Sequence, residues 1–260
     1  MTSAIYCQQQ CNSLVFFDLE TTGLPNFQNP RITELSFCAI DRSTFLQGTP
    51  KNIPRVTNRL NLCIYPSRPI DLVASEMTLL YTDMLECQSP FNHDVANIIS
   101  SFLNRLNKPI CLIAHNGIQF DFPIFKSEMN RLGEKAPDGM LCADSLPIFK
   151  GLQESTEMIK SQSPPVMANS SLEINPFNFM NENKSRLTTD LKQQQKPKSP
   201  SIRFNLENVY QRIYGESPQV IHNAEADVFT LLLAAIATPV DFVSRVEHAA
   251  IPFETIKKCW

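Results

Sequence analysis

The sequence has no paired Cys-x-x-Cys spacing, no long apolar run and no excess of basic charge, and each absence removes a class of protein. Cys7 and Cys11 have no second pair to complete a zinc site. Cys38, Cys63 and Cys111 lie inside apolar runs, where a thiol is expected to act as a small core side chain. Eight cysteines without a pairing framework suit a reducing, intracellular compartment. The longest apolar run, 231–237, is far below a membrane span. The first thirteen residues lack a basic stretch followed by an apolar one, so no secretory signal is expected. A net charge of −3 excludes a protein that grips its partner by bulk positive charge. It leaves room for a nucleic-acid enzyme, because an acidic metal site lowers the total. Charged residues make up only 19% and hydrophobic ones 43%, enough for a sizeable core. At 260 residues without an internal repeat, the chain is one large domain or two small ones.

What the sequence does have begins at 14–24, Leu-Val-Phe-Phe-Asp-Leu-Glu-Thr-Thr-Gly-Leu. Four consecutive apolar residues predict a strand buried on both faces. It runs into Asp18 and Glu20, which point the same way because strand side chains alternate. Two carboxylates about 4 Å apart at an effective dielectric near 20 repel by roughly 4 kcal/mol. A buried strand end carrying them needs a cation, and oxygen-only ligands suit Mg²⁺ or Mn²⁺. Thr21, Thr22 and Gly23 then supply small groups that let a backbone or phosphate approach. A solvated strand end with incidental acids has the same spacing, so this stretch alone does not decide the function.

Further strands are predicted over 32–40, 60–65, 109–114 and 141–143, and helices over 77–85, from Asn92 to Leu106, over 121–132, from Ser145, over 204–214, 224–237 and 240–248. Strands first, then alternating helix and strand, predict a mixed sheet with helices on both faces. Between about 153 and 201 the chain turns to Ser, Asn, Gln, Pro and Lys, which predicts a flexible insertion. Its second half carries Lys184, Arg186, Lys192, Lys196 and Lys198, continued by Arg203, against Asp190 alone. Lys192, Lys196, Lys198 and Arg203 are candidates for holding a nucleic-acid backbone, and a linker kept soluble by its lysines has the same composition.

Two other places set acids where a core element ends. Ala114-His115-Asn116-Gly117 closes a buried strand, and a helix opens at Asp121, where an acid is also favoured by the helix dipole for structural reasons. In His222-Asn223-Ala224-Glu225-Ala226-Asp227, a histidine precedes a helix and Asp227 stands at the rim of its apolar stripe. In that order, Asp-x-Glu, a helix-opening acid and His-x₄-Asp resemble the DEDDh family of 3′→5′ exonucleases, and among them the three-prime repair exonucleases. Segments 17–24, 114–125, 142–145, 209–217, 222–227 and 252–256 all look like that group.

The resemblance implies a ribonuclease-H-like α/β domain over 13–260, with a mixed five-stranded sheet and residues 1–12 as an extension. It implies a metal-dependent 3′→5′ DNA exonuclease releasing nucleoside 5′-monophosphates from single-stranded or frayed ends. Asp18, Glu20, Asp121 and Asp227 would hold two Mg²⁺, for which Mn²⁺ can substitute, and His222 would be the general base. Thr21, Thr22, Gly23 and Leu24 would line the 3′-terminal nucleotide, with His115, Asn116 and Phe120 at its sugar or neighbouring base. It also implies a homodimer joined through the strand that opens on Leu60 and ends on Tyr65, and a cytoplasmic or nuclear protein without a membrane anchor. An exoribonuclease and a catalytically silent binding module remain as alternatives. The chain departs from the group at Ala226, where glycine is usual, at Phe120, where tyrosine is usual, and in its longer, Lys/Gln-rich insertion.

Overall fold

Strand β1 (Ser13–Thr21) forms around four consecutive apolar residues, Leu14 to Phe17, and all of Ser13–Phe17 is buried. Its side chains alternate between two cores. Leu14 and Phe16 face one cluster, while Val15, Phe17 and Leu19 face the other. The structure, a computed structural model, describes residues 10–25, 29–162 and 202–260, with only the backbone over 159–162.

β2 (Ile32–Asp41) pairs antiparallel to β1, and β3 (Asn58–Cys63) antiparallel to β2. β4 (Ile110–Ala114) and β5 (Leu141–Asp144) continue the sheet in parallel on the other side of β1. The order β3-β2-β1-β4-β5-β6 places β1 near the centre, so the acids at its end sit mid-sheet. The predicted mixed sheet has six strands instead of five. The addition is β6 (Ile251–Pro252), paired antiparallel with Leu141 and Cys142. Two residues, one of them proline, leave no alternation to read in a sequence.

One face is covered by α4 (His93–Asn104) and α5 (Asp121–Arg131), where Phe17 stacks on Phe37 at 4.6 Å. The other carries α6 (Ser145–Gln162), α8 (Ala224–Ile236) and α9 (Pro239–Ala249), where Phe16 meets Phe45 and Phe242. Phe45 belongs to α1 (Arg42–Leu46), a single turn that the sequence pattern did not reveal. The helix predicted over 77–85 is two, α2 (Leu72–Thr78) and α3 (Thr82–Leu85), because Leu79 takes a left-handed conformation at φ 59°. α7 (Leu206–Tyr214) ends on Gly215 at φ 79°, the conformation a glycine C-cap supplies.

Two expectations need correction. The flexible insertion does not begin at 153, since α6 runs on to Gln162. Ser155 and Thr156 donate to the carbonyls of Gly151 and Leu152, and Arg245 donates to Ser155 Oγ at 2.7 Å, so a polar stretch stays helical. Cys63 is exposed on the sheet edge and contributes no core volume. The end of the N-terminal extension is docked: Cys11 N donates to Glu247 and Asn12 N to Pro109. Lys192, Lys196 and Lys198 lie outside the described residues, as do 1–9. Among the described residues, no single helix is long and apolar enough to cross a membrane.

Candidate metal centre

Three elements bring their ends together here. β1 supplies Asp18 and Glu20 from one face of its last turns of chain, α5 supplies Asp121 from its first residue, and α8 supplies Asp227 from its first turn. Asp121 is buried at the first position of α5. Asp227 Oδ2 accepts from the His222 backbone N–H at 2.8 Å and so fixes the turn before α8. His222 takes φ 57° there. The metal-ligating atoms of Glu20, His222 and Asp227 all lie within 4.8 Å of one another.

The electrostatics follow from burying several acids at one place. Burial pushes the Asp18 carboxyl well above its ordinary range, and repulsion from Asp121, Glu20, Asp227 and Glu34 adds to it. Glu20 is pushed up to about 8, first by burial and then by Asp227, Glu34 and Asp121. Asp121 also reaches about 8, chiefly through burial. Asp227 is raised by burial and held back by His222 and Asn223. Acids that raise one another in this way relieve their repulsion when a hard cation neutralises them. The donor set therefore fits a divalent oxygen-seeking ion, which Asp18, Glu20, Asp121 and Asp227 could hold.

Glu34 is the residue that sequence reasoning missed. It lies directly across from Glu20 in the β1–β2 ladder and is buried. Glu34 Oε2 accepts from the Ala224 N–H at 3.0 Å, and Oε1 from Asn223 Nδ2 at 3.4 Å. It thus holds the two residues between His222 and the first turn of α8. Glu34→Ala leaves the Ala224 N–H unpaired, at a cost of about 1–3 kcal/mol. Glu34→Gln keeps an oxygen acceptor there. The expected outcome is a kcat loss in Glu34→Ala at little-changed KM, largely restored in Glu34→Gln. Equal loss in both would assign Glu34 to metal charge instead of to the turn.

The remaining predicted residues divide. Gly23 has φ 150°, and a Cβ there would run into the Asp71 carboxylate, so only glycine lets this loop pass α2. Leu24 is 67% exposed beside it, open to a base. Thr21 and Thr22 are buried, and their hydroxyls serve the loop. Thr21 Oγ1 donates to the Gly23 carbonyl, and Thr22 Oγ1 accepts from Arg31 N. Both hydroxyls therefore shape the loop that carries Gly23 and Leu24.

His115 is likewise engaged inside the protein. Its Nε2 donates to the Phe204 carbonyl at 2.7 Å and its Nδ1 accepts from Ser145 Oγ at 2.9 Å. Burial lowers its pKa, so the ring stays neutral as this pairing requires. It pins the chain where it returns after residue 201. Asn116, at φ 63°, donates its backbone N–H to Asp144, which also accepts from Ile118 and Leu146 and fixes the turn ahead of Asp121. The Asn116 side chain is exposed, Phe120 is partly buried against the core, and Arg203 is exposed.

Residues 15–160, more than half of the chain, match the family described as Exonuclease. Human three-prime repair exonuclease 1 is 33% identical over 257 residues, spanning 94% of this chain and 69% of that protein. Mouse three prime repair exonuclease 2 is 34% identical over 232 residues, spanning 86% of this chain and 82% of its own length. Among solved structures, the zinc-bound form of the E. coli ExoI–ssDNA complex superposes with a TM-score of 0.56 at 17% identity. That match covers 90% of this chain and 42% of ExoI, so this chain spans less than half of it. A 3′-exonuclease that recognises the histone mRNA stem-loop gives a TM-score of 0.56 at 11% identity, over 88% of this chain and 64% of that one. At such identities the two structures speak for the fold.

Proposed function

Because the chain belongs to the exonuclease family, among the three-prime repair exonucleases, we propose that it removes nucleotides from DNA 3′ ends with divalent metal ions and a histidine base. The observation that carries this reading is the meeting of Glu20, His222 and Asp227 within 4.8 Å, beside buried Asp18 and Asp121. Two divalent ions held by Asp18, Glu20, Asp121 and Asp227 would supply positive charge to the scissile phosphate and lower the pKa of the attacking water. Everything else falls to the protein. Leu24 and the Thr21–Gly23 turn seat the terminal nucleotide. His222 takes the proton from the water at a ring nitrogen as its oxygen bonds to phosphorus and the O3′–P bond breaks. The leaving O3′ gains a proton and becomes the new chain end, and a nucleoside 5′-monophosphate departs. Asp227 fixes the histidine's backbone, and Glu34 fixes the turn that follows.

Digestion of matched DNA and RNA oligonucleotides labelled at the 5′ end, with Mg²⁺ or with chelator, tests the reading. A Mg²⁺-dependent ladder from the 3′ end on DNA is expected. A ladder on RNA alone would make the chain an exoribonuclease, and no ladder on either would make it a silent binding module.

The assembly is read from β3. Among the described residues this strand pairs with β2 on one side only, so a row of backbone donors and acceptors is left at the sheet edge, a liability in a monomer. A second copy adding its own β3 would continue the sheet into a homodimer. Light scattering at micromolar protein should give twice the chain mass of 29.4 kDa. A strictly monomeric mass would refute it.

A further inference from the structure

A second charged surface lies beside the active-site loop and takes no part in the chemistry just described. It is a groove of about 410 Å³ lined by Asn29, Arg31, Arg68, Arg131, Lys258 and Trp260, with no acid in its lining. Four cations gathered on a chain of net charge −3 run against its overall balance. Glu128 is wholly buried and is shared by two arginines of the lining. Arg31 reaches it with Nε at 2.5 Å and Nη2 at 3.3 Å. Arg131 reaches it with Nε at 2.9 Å and gives Nη2 also to the Phe91 carbonyl. One carboxylate between two guanidiniums leaves positive charge in excess. Among the described residues neither Nη1 has an acceptor, so each arginine keeps donors for a ligand.

The groove is built firmly and close to the loop that seats the 3′ end. Thr22 and Arg31 exchange backbone contacts: Thr22 N donates to the Arg31 carbonyl at 2.9 Å, and Arg31 N to Thr22 Oγ1 at 3.0 Å. The far wall is strapped to α5, since the N–H groups of Cys259 and Trp260 both donate to Ser127 Oγ. Planar guanidiniums match phosphate oxygens, and a half-exposed indole offers a face on which a base or sugar can rest.

We propose that this groove binds backbone phosphates of a nucleic-acid strand beyond the nucleotides held at the active site. It acts as an accessory subsite that makes long strands better substrates than short ones. The inference rests on the nuclease reading above. Its ligand chemistry is the phosphodiester, whether from the strand being digested or from a complementary strand.

The test replaces Arg68 and Lys258 and leaves Arg31 and Arg131 in place, since removing a partner of buried Glu128 would disturb the fold on its own. Arg68→Gln/Lys258→Gln is compared with the charge-keeping Arg68→Lys/Lys258→Arg. Binding to single strands of about 4 and about 12 nucleotides, and to a duplex with a recessed 3′ end, is followed by anisotropy in chelator across a salt series. Each lost phosphate contact flattens the log–log salt slope by about 0.7 on a single strand and about 0.9 on a duplex, so the glutamine pair should flatten it by about 1.4 on the long strand or about 1.8 on the duplex. The preference for the long strand should fall, and the charge-keeping pair should retain it. A loss on the long single strand assigns the phosphates to the digested strand, and a loss on the duplex alone assigns them to its complement. Wild-type slopes in the glutamine pair on every substrate, or equal losses in both pairs, would overturn the proposal. Should wild-type protein bind strands yet digest none, the nuclease reading fails while the groove stands.

Discussion

Asp18→Asn abolishes hydrolysis while leaving the metal-free protein folded and more heat-stable than the wild type at neutral pH. Asp18 stands amid the repulsion of Asp121, Glu20, Asp227 and Glu34, and burial already disfavours its charge. An amide of the same shape removes one member of that set. Each 1 kcal/mol of relief raises Tm by about 2–4 °C in a chain of this size. Mg²⁺ should raise the wild-type Tm strongly and the variant's little, because a ligand stabilises only the state it binds. Near-wild-type digestion by Asp18→Asn in Mg²⁺ would remove Asp18 from the metal site.

The same acids set a pH dependence whose direction can be stated. Glu20 rises from 4.5 to about 8 and Asp121 from 3.8 to about 8 on folding. Between these limits the folded state holds more protons than the unfolded state, so stability falls as pH rises. Metal-free wild type should therefore melt progressively lower from about pH 5 to about pH 8. The stabilisation by Mg²⁺ should grow over the same window, since the metal competes with those protons. A metal-free Tm that climbs across this window would mean the acids are not packed together as described.

The local part of this site was legible, and the cross-strand part was not. Asp18 and Glu20 declare themselves because a buried run ends in acids on one face, a pattern within three residues. Asp227 is visible because its helix has a clear apolar stripe and the acid interrupts its rim. Glu34 gives no such signal. In sequence it is one polar residue inside an apolar strand, and its importance comes only from lying opposite Glu20 and beneath Asn223–Ala224. His115 misled for the converse reason. A histidine at a strand end looks available, and only the fold supplies Ser145 and the Phe204 carbonyl to engage both nitrogens. The extension of α6 past residue 153 was hidden by composition, since serine and threonine read as loop until their hydroxyls close onto the preceding helical turn.

His222→Ala lowers kcat by about 10²–10⁴-fold, equivalent to about 2.7–5.4 kcal/mol of barrier, while metal affinity is retained. The geometry makes this a sharp test, because the imidazole lies close enough to Glu20 and Asp227 to serve as a ligand instead. Chemistry favours the base. Four carboxylates already furnish hard oxygen donors for Mg²⁺, which an imidazole nitrogen suits poorly. The turn itself rests on backbone contacts, Asp227 Oδ2 to His222 N and Glu34 to Ala224 N, so truncating the ring leaves it in place. A base assignment predicts that titration of Mg²⁺ gives the wild-type midpoint in the variant while kcat stays low at saturating metal. If the midpoint instead moves in proportion to the lost rate, and saturating Mg²⁺ or Mn²⁺ restores turnover, His222 holds metal and the water loses its proton elsewhere.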